Sequence, residues 1–242
     1  MTTTASSTRL ARWAGAGYLA IFALAIPTNF VVLDRLVTPD DPAATLAAIA
    51  THDGAMRFGI AAFLTIAVID IAIAWALHVL LRRTGEQRSL LAAWLRLAYG
   101  VIFAGAVTFL AVALRVATGD TGLGDDARAA AVSTALAAFD AAWLIGLVAF
   151  GLHLALVGRI LVGARLAPRA LGVGLGIAGI AYVADTFAHV LVPDYAAIAG
   201  VMLVVVAVPS TVAEMWLTVW LLGGAERRGA RSRTVRAEAV PA

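Results

Sequence analysis

Six apolar stretches, each about as long as the ~20 residues that a helix needs to cross a roughly 30 Å hydrocarbon layer, occupy most of this 242-residue chain. They run at about 13–34, 57–81, 91–115, 139–160, 169–192 and 196–222. Hydrocarbon contains no water to satisfy backbone N–H and C=O groups, so each stretch must pair its own, as a helix does. The fold class expected is all-α: a polytopic membrane protein built as a six-transmembrane-helix bundle over 13–222. A cytoplasmic N-terminal segment (1–12) precedes it, and a disordered basic cytoplasmic tail (223–242) follows.

The arginines give the bundle its expected orientation. Arg9 and Arg12 precede the first span; Arg82, Arg83, Arg88 and Arg96 lie between or just inside the second and third; Arg159, Arg165 and Arg169 join the fourth and fifth; and Arg227, Arg228, Arg231, Arg233 and Arg236 fill the tail. Only Arg35, Arg57, Arg115 and Arg128 fall on the other side. Basic residues concentrate on the cytoplasmic side of membrane proteins, which makes both termini cytoplasmic (N-in/C-in) and the bacterial cytoplasmic membrane the expected location. Asp34, Asp40, Asp41, Asp53, Asp120, Asp125, Asp126 and Asp194 sit in or beside the opposite loops. Trp13, Trp94, Trp216 and Trp220 fall near the inner interface and Trp143 near the outer one, where amphipathic rings are favoured. Ala23-Leu24-Ala25 resembles a signal-peptide cleavage site, yet the apolar run continues to Leu33, longer than such a segment needs.

Composition closes off several chemistries. The chain is 62% hydrophobic and 14% charged, against about 45–50% and about 25% for soluble domains. It has no cysteine, which removes thiolate nucleophiles, disulfides and iron–sulfur clusters. All 18 basic residues are arginine, so no lysine is present for Schiff-base chemistry. The net charge of +3 is explained by the cytoplasmic arginines and implies no nucleic-acid partner. The expected partners are the lipid bilayer and anionic headgroups, drawn to the tail at about 1 kcal/mol per arginine.

Two outer loops carry short-helix signals. Asp41-Pro42 is an N-cap followed by proline at the first helical position, with Gly54 as a stop. A second helix is expected from about Asp126 toward Asp140, after the turn around Gly119, Gly122 and Gly124.

An ionisable side chain inside a spanning helix costs about 2.5–3.5 kcal/mol by insertion scales, so it normally faces protein or water. Asp70, Asp140, Asp185 and Glu214 are such residues, with His189 one turn beyond Asp185. Gly174, Ala178, Ala181 and Asp185 share one stripe of the fifth helix, and Gly172 and Gly176 form a small-xxx-small pair on another. Ser210, Thr211, Glu214 and Thr218 cluster on the sixth helix directly after Pro209; Pro27, Thr28 and Asn29 repeat the device on the first. Proline removes a backbone donor and bends the helix, as in many substrate sites of transporters. Asp70, Asp140, Asp185, His189, Ser210, Thr211, Glu214 and Thr218 therefore form a candidate polar cavity, with Arg96 as a possible charge partner of Glu214. The competing interpretation makes each carboxyl a protonated or paired link between helices.

Metal and cofactor signals are thin. Asp185-x3-His189 has the i,i+4 spacing that metal ligands use, with Asp140 or Asp194 as the possible third. His78 and His153 are the one pair placed for bis-histidine haem. No HExxH, phosphate loop or nucleophile elbow is present, so no cofactor and no catalytic residue are assigned.

An arginine-flanked first span, the run Met56-Arg57-Phe58-Gly59-Ile60-Ala61, and Phe150-Gly151-Leu152-His153-Leu154 with Gly158 are similar to a bacterial membrane family, domain of unknown function 4386. So are Ala167-Pro168-Arg169-Ala170-Leu171-Gly172 leading to Gly179-Ile180-Ala181-Tyr182, and Glu214 ahead of Trp216-Leu217 and Trp220-Leu221-Leu222. The resemblance covers roughly residues 8 to 223. It implies a multi-span membrane protein without an assigned activity, and supplies no catalytic residues. Three functions are then open: a non-catalytic bundle that senses, scaffolds or binds a partner; a small transporter for a proton, cation or polar solute using Asp70, Asp185 and Glu214; or an intramembrane metal-dependent enzyme at Asp185/His189. The residues favour the first.

Overall fold

The computed structural model describes residues 2–224, with side chains from Ser7 to Gly223. The tail arginines Arg227, Arg228, Arg231, Arg233 and Arg236, and the tail of which they are part, lie outside the described residues. Those described form helices joined by short connections, with no strand among them. The order is α1 (Thr2–Pro27), a π-helical segment (Thr28–Leu33), α2 (Asp34–Leu36), α3 (Pro42–Thr51), α4 (Asp53–Leu81), α5 (Glu86–Thr118), α6 (Asp125–Gly163), α7 (Arg169–Leu191) and α8 (Ala199–Val219). A 3-10 turn (Tyr195–Ala197) precedes α8 and a second π segment (Trp220–Gly224) follows it. Six of these are long and apolar enough to cross a membrane: Ser7–Leu36, Asp53–Thr84, Glu86–Thr118, Asp125–Gly163, Arg169–Leu191 and Ala199–Gly223.

Both expected short helices are helical, in different ways. α3 stands alone: Asp41 Oδ1 accepts from the Ala44 N–H at 2.9 Å and Pro42 occupies the first turn. The segment after Asp125 instead continues without a break into the fourth span as one 39-residue helix. Arg128 fastens its start, donating to the Val116 and Ala117 carbonyls at the end of α5 and to Asp125. Free helix C-terminal carbonyls are a natural acceptor for a guanidinium.

The chain divides into two compact units. The first comprises Met1–Leu19, Ala72–Arg96 and Phe150–Ala242; the second comprises Ala20–Ile71 and Leu97–Ala149.

In the first unit, α7 packs against α6 backbone to backbone. A Cβ on Gly179 would meet the Gly151 carbonyl, and one on Gly158 would meet the Gly172 carbonyl. Gly151 and Gly158 on α6 thus face Gly179 and Gly172 on the antiparallel α7, both pairs seven residues apart. Without a hydrophobic drive between helices in lipid, such close approach supplies the van der Waals contact that holds them. On another side, Gly174 faces Ala213 of α8 at 3.6 Å. α7 therefore has a neighbour on two sides.

The second unit is centred on rings. Phe63 stacks on Phe139 (centroids 5.7 Å apart) and meets Phe103 edge-on at 5.4 Å, while Trp143 lies 5.8 Å from Phe139 and donates to the Tyr99 hydroxyl at 3.3 Å.

Candidate functional site

Two ionisable side chains lie side by side deep in the first unit, Arg96 at 1% exposed and His153 fully buried. α5 and α6 bring them together, and α1 adds Tyr18. The Arg96 guanidinium donates to the Tyr18 hydroxyl and lies over the Tyr18 ring at 4.5 Å and the Phe150 ring at 5.3 Å. His153 Nδ1 is 2.8 Å from the Ala92 carbonyl and its Nε2 is 3.3 Å from Arg96 Nη1. A carbonyl can only accept, so Nδ1 carries the proton; a guanidinium can only donate, so Nε2 is the bare acceptor. The imidazole is neutral, its tautomer fixed from both sides. This arrangement anchors α1, α5 and α6 to one another. It leaves His153 no lone pair for a metal and Arg96 no access to a solute.

Asp185 and Glu214 are each met by a tyrosine. Tyr195, in the turn before α8, donates to Asp185 Oδ1 at 2.6 Å, and its ring stacks on His189 with centroids 3.5 Å apart. Burial first, and the Asp185 carboxylate second, push the Tyr195 hydroxyl up to about 12. His189 Nδ1 donates to the Asp185 carbonyl at 3.0 Å and is 3.7 Å from its carboxylate. Tyr182 donates to Glu214 Oε1 at 3.4 Å. Ser210 donates to the Val206 carbonyl beside Pro209, Thr218 donates to the Glu214 carbonyl, and Thr211 is exposed. Among the described residues, no three His, Cys, Asp or Glu side chains gather as a metal site would require.

The residues expected to form one polar cavity are divided between the two units. Asp185, His189, Ser210, Thr211, Glu214, Thr218 and Arg96 belong to the first unit, Asp70 and Asp140 to the second. Asp70 is 2% exposed, its Cβ beside Gly100. Two cavities stand out. The first, about 220 Å³, lies within the first unit among Ala11, Leu77, Leu81, Val157, Leu161 and Trp220 and is mainly apolar, with Ser7 and Thr8 at its wall. The second, about 390 Å³, lies within the second unit, where Asn29, Asp34 and Asp140 share it with apolar walls. Asp70, Asp185 and Glu214 line neither.

Sequence reasoning did not single out Tyr18, Tyr195 or Asp34. Tyr195 had one legible signal, its place in the short link between the two helices that carry Asp185 and Glu214. Tyr18 had none, being 78 positions from Arg96.

No curated protein and no solved structure matches the chain. The model of a family described as "Domain of unknown function" (DUF4386) matches residues 13–224, and the chain belongs to that family.

Proposed function

We propose that this protein is a non-catalytic, multi-pass membrane bundle whose role is recognition: sensing, scaffolding or binding a partner. The observation that carries this reading is the individual capping of two of its intramembrane carboxylates, Asp185 by Tyr195 and Glu214 by Tyr182. A group that loads and unloads a solute or proton must be free to exchange partners through a water-accessible path, whereas these have protein donors of their own. The buried Arg96–His153–Tyr18 group serves the same end, holding three helices in register. Its setting is the bacterial cytoplasmic membrane with both termini inside, and the arginine-rich tail engages anionic headgroups there.

The test is genetic. A deletion strain is profiled across ions, pH and membrane stresses, then complemented with Asp185→Asn/Glu214→Gln. Full complementation is expected. A correctly assembled variant that fails to complement would mean that these carboxylates act chemically, and the transport reading built on Asp70, Asp185 and Glu214 would replace this one. A reporter active only outside the cytoplasm, fused to either terminus, should stay silent.

A further inference from the structure

The mainly apolar cavity of the first unit lies where that unit's positive charge gathers. Thr8 and Ala11 of α1, Leu81 of α4, Leu166 beyond α6, and Trp220 and Leu221 beyond α8 are on its walls. Four helices thus bring their ends to it, and arginines adjoin these lining positions in the chain. Arg9 comes directly after Thr8, Arg12 after Ala11, Arg82 and Arg83 after Leu81, and Arg165 directly before Leu166. All five are exposed, and Arg9, Arg82 and Arg83 make no hydrogen bond or ion pair with any described residue. Between Arg82 and Arg88 the sequence offers one carboxylate, Glu86.

The backbone accepts strain to place one of these arginines. The Leu166 N–H bonds to the Leu161 carbonyl and the Arg165 N–H to the Val162 carbonyl, both at 3.1 Å, which is the Schellman ending of a helix. Its turning residue adopts the left-handed conformation that glycine usually fills, yet here it is Arg165, with φ of 52°. A side chain in that conformation is disfavoured, and such strain gathers at functional sites. The turn brings Leu166 to the same cavity wall as Leu161 and leaves the Arg165 side chain outside. Trp220 and Leu221 belong to the π segment after α8, another device frequent at functional sites. That wall is close-packed: a Cβ on Gly15 would meet Leu221 and Leu222, so α1 and the π segment touch there.

We infer that this cavity holds part of an acyl chain of an anionic phospholipid, with the phosphate outside it among Arg9, Arg82, Arg83 and Arg165. At 220 Å³ it is smaller than the roughly 300–1,000 Å³ of sites that enclose a whole small molecule, so it suits one part of a larger one. A phospholipid has that form: an apolar chain joined to a phosphate, the group that a guanidinium is shaped to meet. Basic pockets between spanning helices hold anionic headgroups by the same means. A free inorganic anion would leave the apolar walls uncovered, and an uncharged hydrocarbon would leave the arginines without a counter-charge. The inference rests on the membrane setting proposed above and names what the recognition role recognises there. None of the site's residues belongs to the arginine-rich tail.

The test is native mass spectrometry of the full chain released from detergent, titrated with phosphatidylglycerol and with phosphatidylcholine of the same acyl chains. One phosphatidylglycerol, held about ten-fold more tightly than phosphatidylcholine, is the expected result. Arg82→Gln/Arg83→Gln should weaken it about ten-fold, as fits the loss of two charges beside a phosphate. Leu80→Trp, at a half-buried position on the cavity wall, should weaken it as much by filling the space. Melting temperatures establish that the variants are folded. Equal retention of the two lipids, or unchanged affinity in the folded arginine variant, would overturn the site. So would full affinity in folded Leu80→Trp, which would mean that headgroups adsorb on the arginines without a chain in the cavity. Displacement by an equal concentration of oleate would make the occupant a free fatty acid and sink the phospholipid. Every variant leaves Asp185 and Glu214 intact, so failure here removes the lipid site and leaves the recognition reading and its genetic test where they stand.

Discussion

Asp185 and Glu214 in the first unit are held differently from Asp34 and Asp140 in the second. In the first, Arg96, His153, Asp185 and Glu214 each have a protein partner, and hydroxyls such as those of Ser210 and Thr218 fold back onto carbonyls of their own helix. In the second, Asp34 and Asp140 face a cavity without partners, and the Thr28 hydroxyl is buried with no hydrogen bond. The first unit has two such atoms of its own, the Nε–H of the otherwise partnered Arg96 guanidinium and the buried indole N–H of Trp220, which also lines a cavity. Packing follows the same division: glycine-to-backbone contacts hold α6 to α7 in the first unit, while aromatic rings fill the second. Buried groups that satisfy one another hold helices together, whereas Asp34 and Asp140 are exposed and need no protein partner.

The comparison breaks most easily at the glycines. Gly179→Leu drives a side chain into the Gly151 carbonyl, and neither helix can yield without separating, so a destabilisation of about 3 kcal/mol or more is expected. Gly176, whose added Cβ would meet nothing within 4 Å, is the control: Gly176→Ala should cost nothing, because alanine is also the better helix former. Denaturant titration in detergent separates the two. Equal losses would mean that the α6–α7 contact is not what holds the first unit together.

Next in size is His153→Ala, expected to cost about 2 kcal/mol because it removes a buried ring and the acceptor facing Arg96. His153→Asn sharpens the test. Its amide nitrogen can replace Nδ1 toward the Ala92 carbonyl but supplies nothing at the Nε2 position, so roughly half the loss should return. No recovery would make the contact with Arg96 the dominant one.

What the sequence could and could not convey follows from the same contacts. Apolar runs long enough to cross hydrocarbon are local, and six such helices are what the chain forms. The Asp41-Pro42 cap was equally local. The joining of the second outer helix to the fourth span was within reach, because no glycine or proline interrupts Asp126 to Ile145. Partner choice was not: the hydrogen bonds of Arg96 to His153 and Tyr18 span 57 and 78 positions, and nothing in the spacing of apolar residues points to either. The π turn was hidden for a different reason. Pro27-Thr28-Asn29 marked a distortion, but only the backbone shows that it takes the form of an added residue, which brings Asp34, to all appearance a loop carboxylate, into the cavity.

Tyr195 offers a pH-dependent handle on the first unit. Its folded-state pKa, about 12, lies above the ordinary tyrosine value of about 10, so the folded chain holds that proton more tightly. The stabilisation is complete below about pH 10 and is lost as pH rises through about 12. Tyr195→Phe, which removes the bond to Asp185, should cost about 1 kcal/mol at pH 8, and the gap between the two proteins should close between pH 10 and 12. Melting curves of both proteins across that range cancel the titration of the other tyrosines. The absence of any gap at pH 8 would mean that the ring stack on His189, common to both, and not the hydroxyl, carries the interaction.

The smallest effect is expected where the difference between the units is sharpest. Asp34→Asn and Asp140→Asn remove charges that have no protein partner, so no hydrogen bond is broken and no buried donor is stranded. Surface substitutions of that kind usually fall within about 0.5 kcal/mol. Asp140 sharpens the point, because its neighbour Phe139 is fixed by stacking and its backbone lies within α6, so the substitution has nothing to rearrange. Two carboxylates on one cavity also repel each other, so removing one should stabilise the protein slightly if it changes anything. The prediction is therefore signed: zero to slightly positive for either single variant, while Asp185→Asn in the first unit is destabilising because the Tyr195 hydroxyl loses a charged acceptor. A loss above 1 kcal/mol in Asp34→Asn or Asp140→Asn would mean that these carboxylates hold the second unit together as Arg96 and His153 hold the first, and the contrast between the units would vanish.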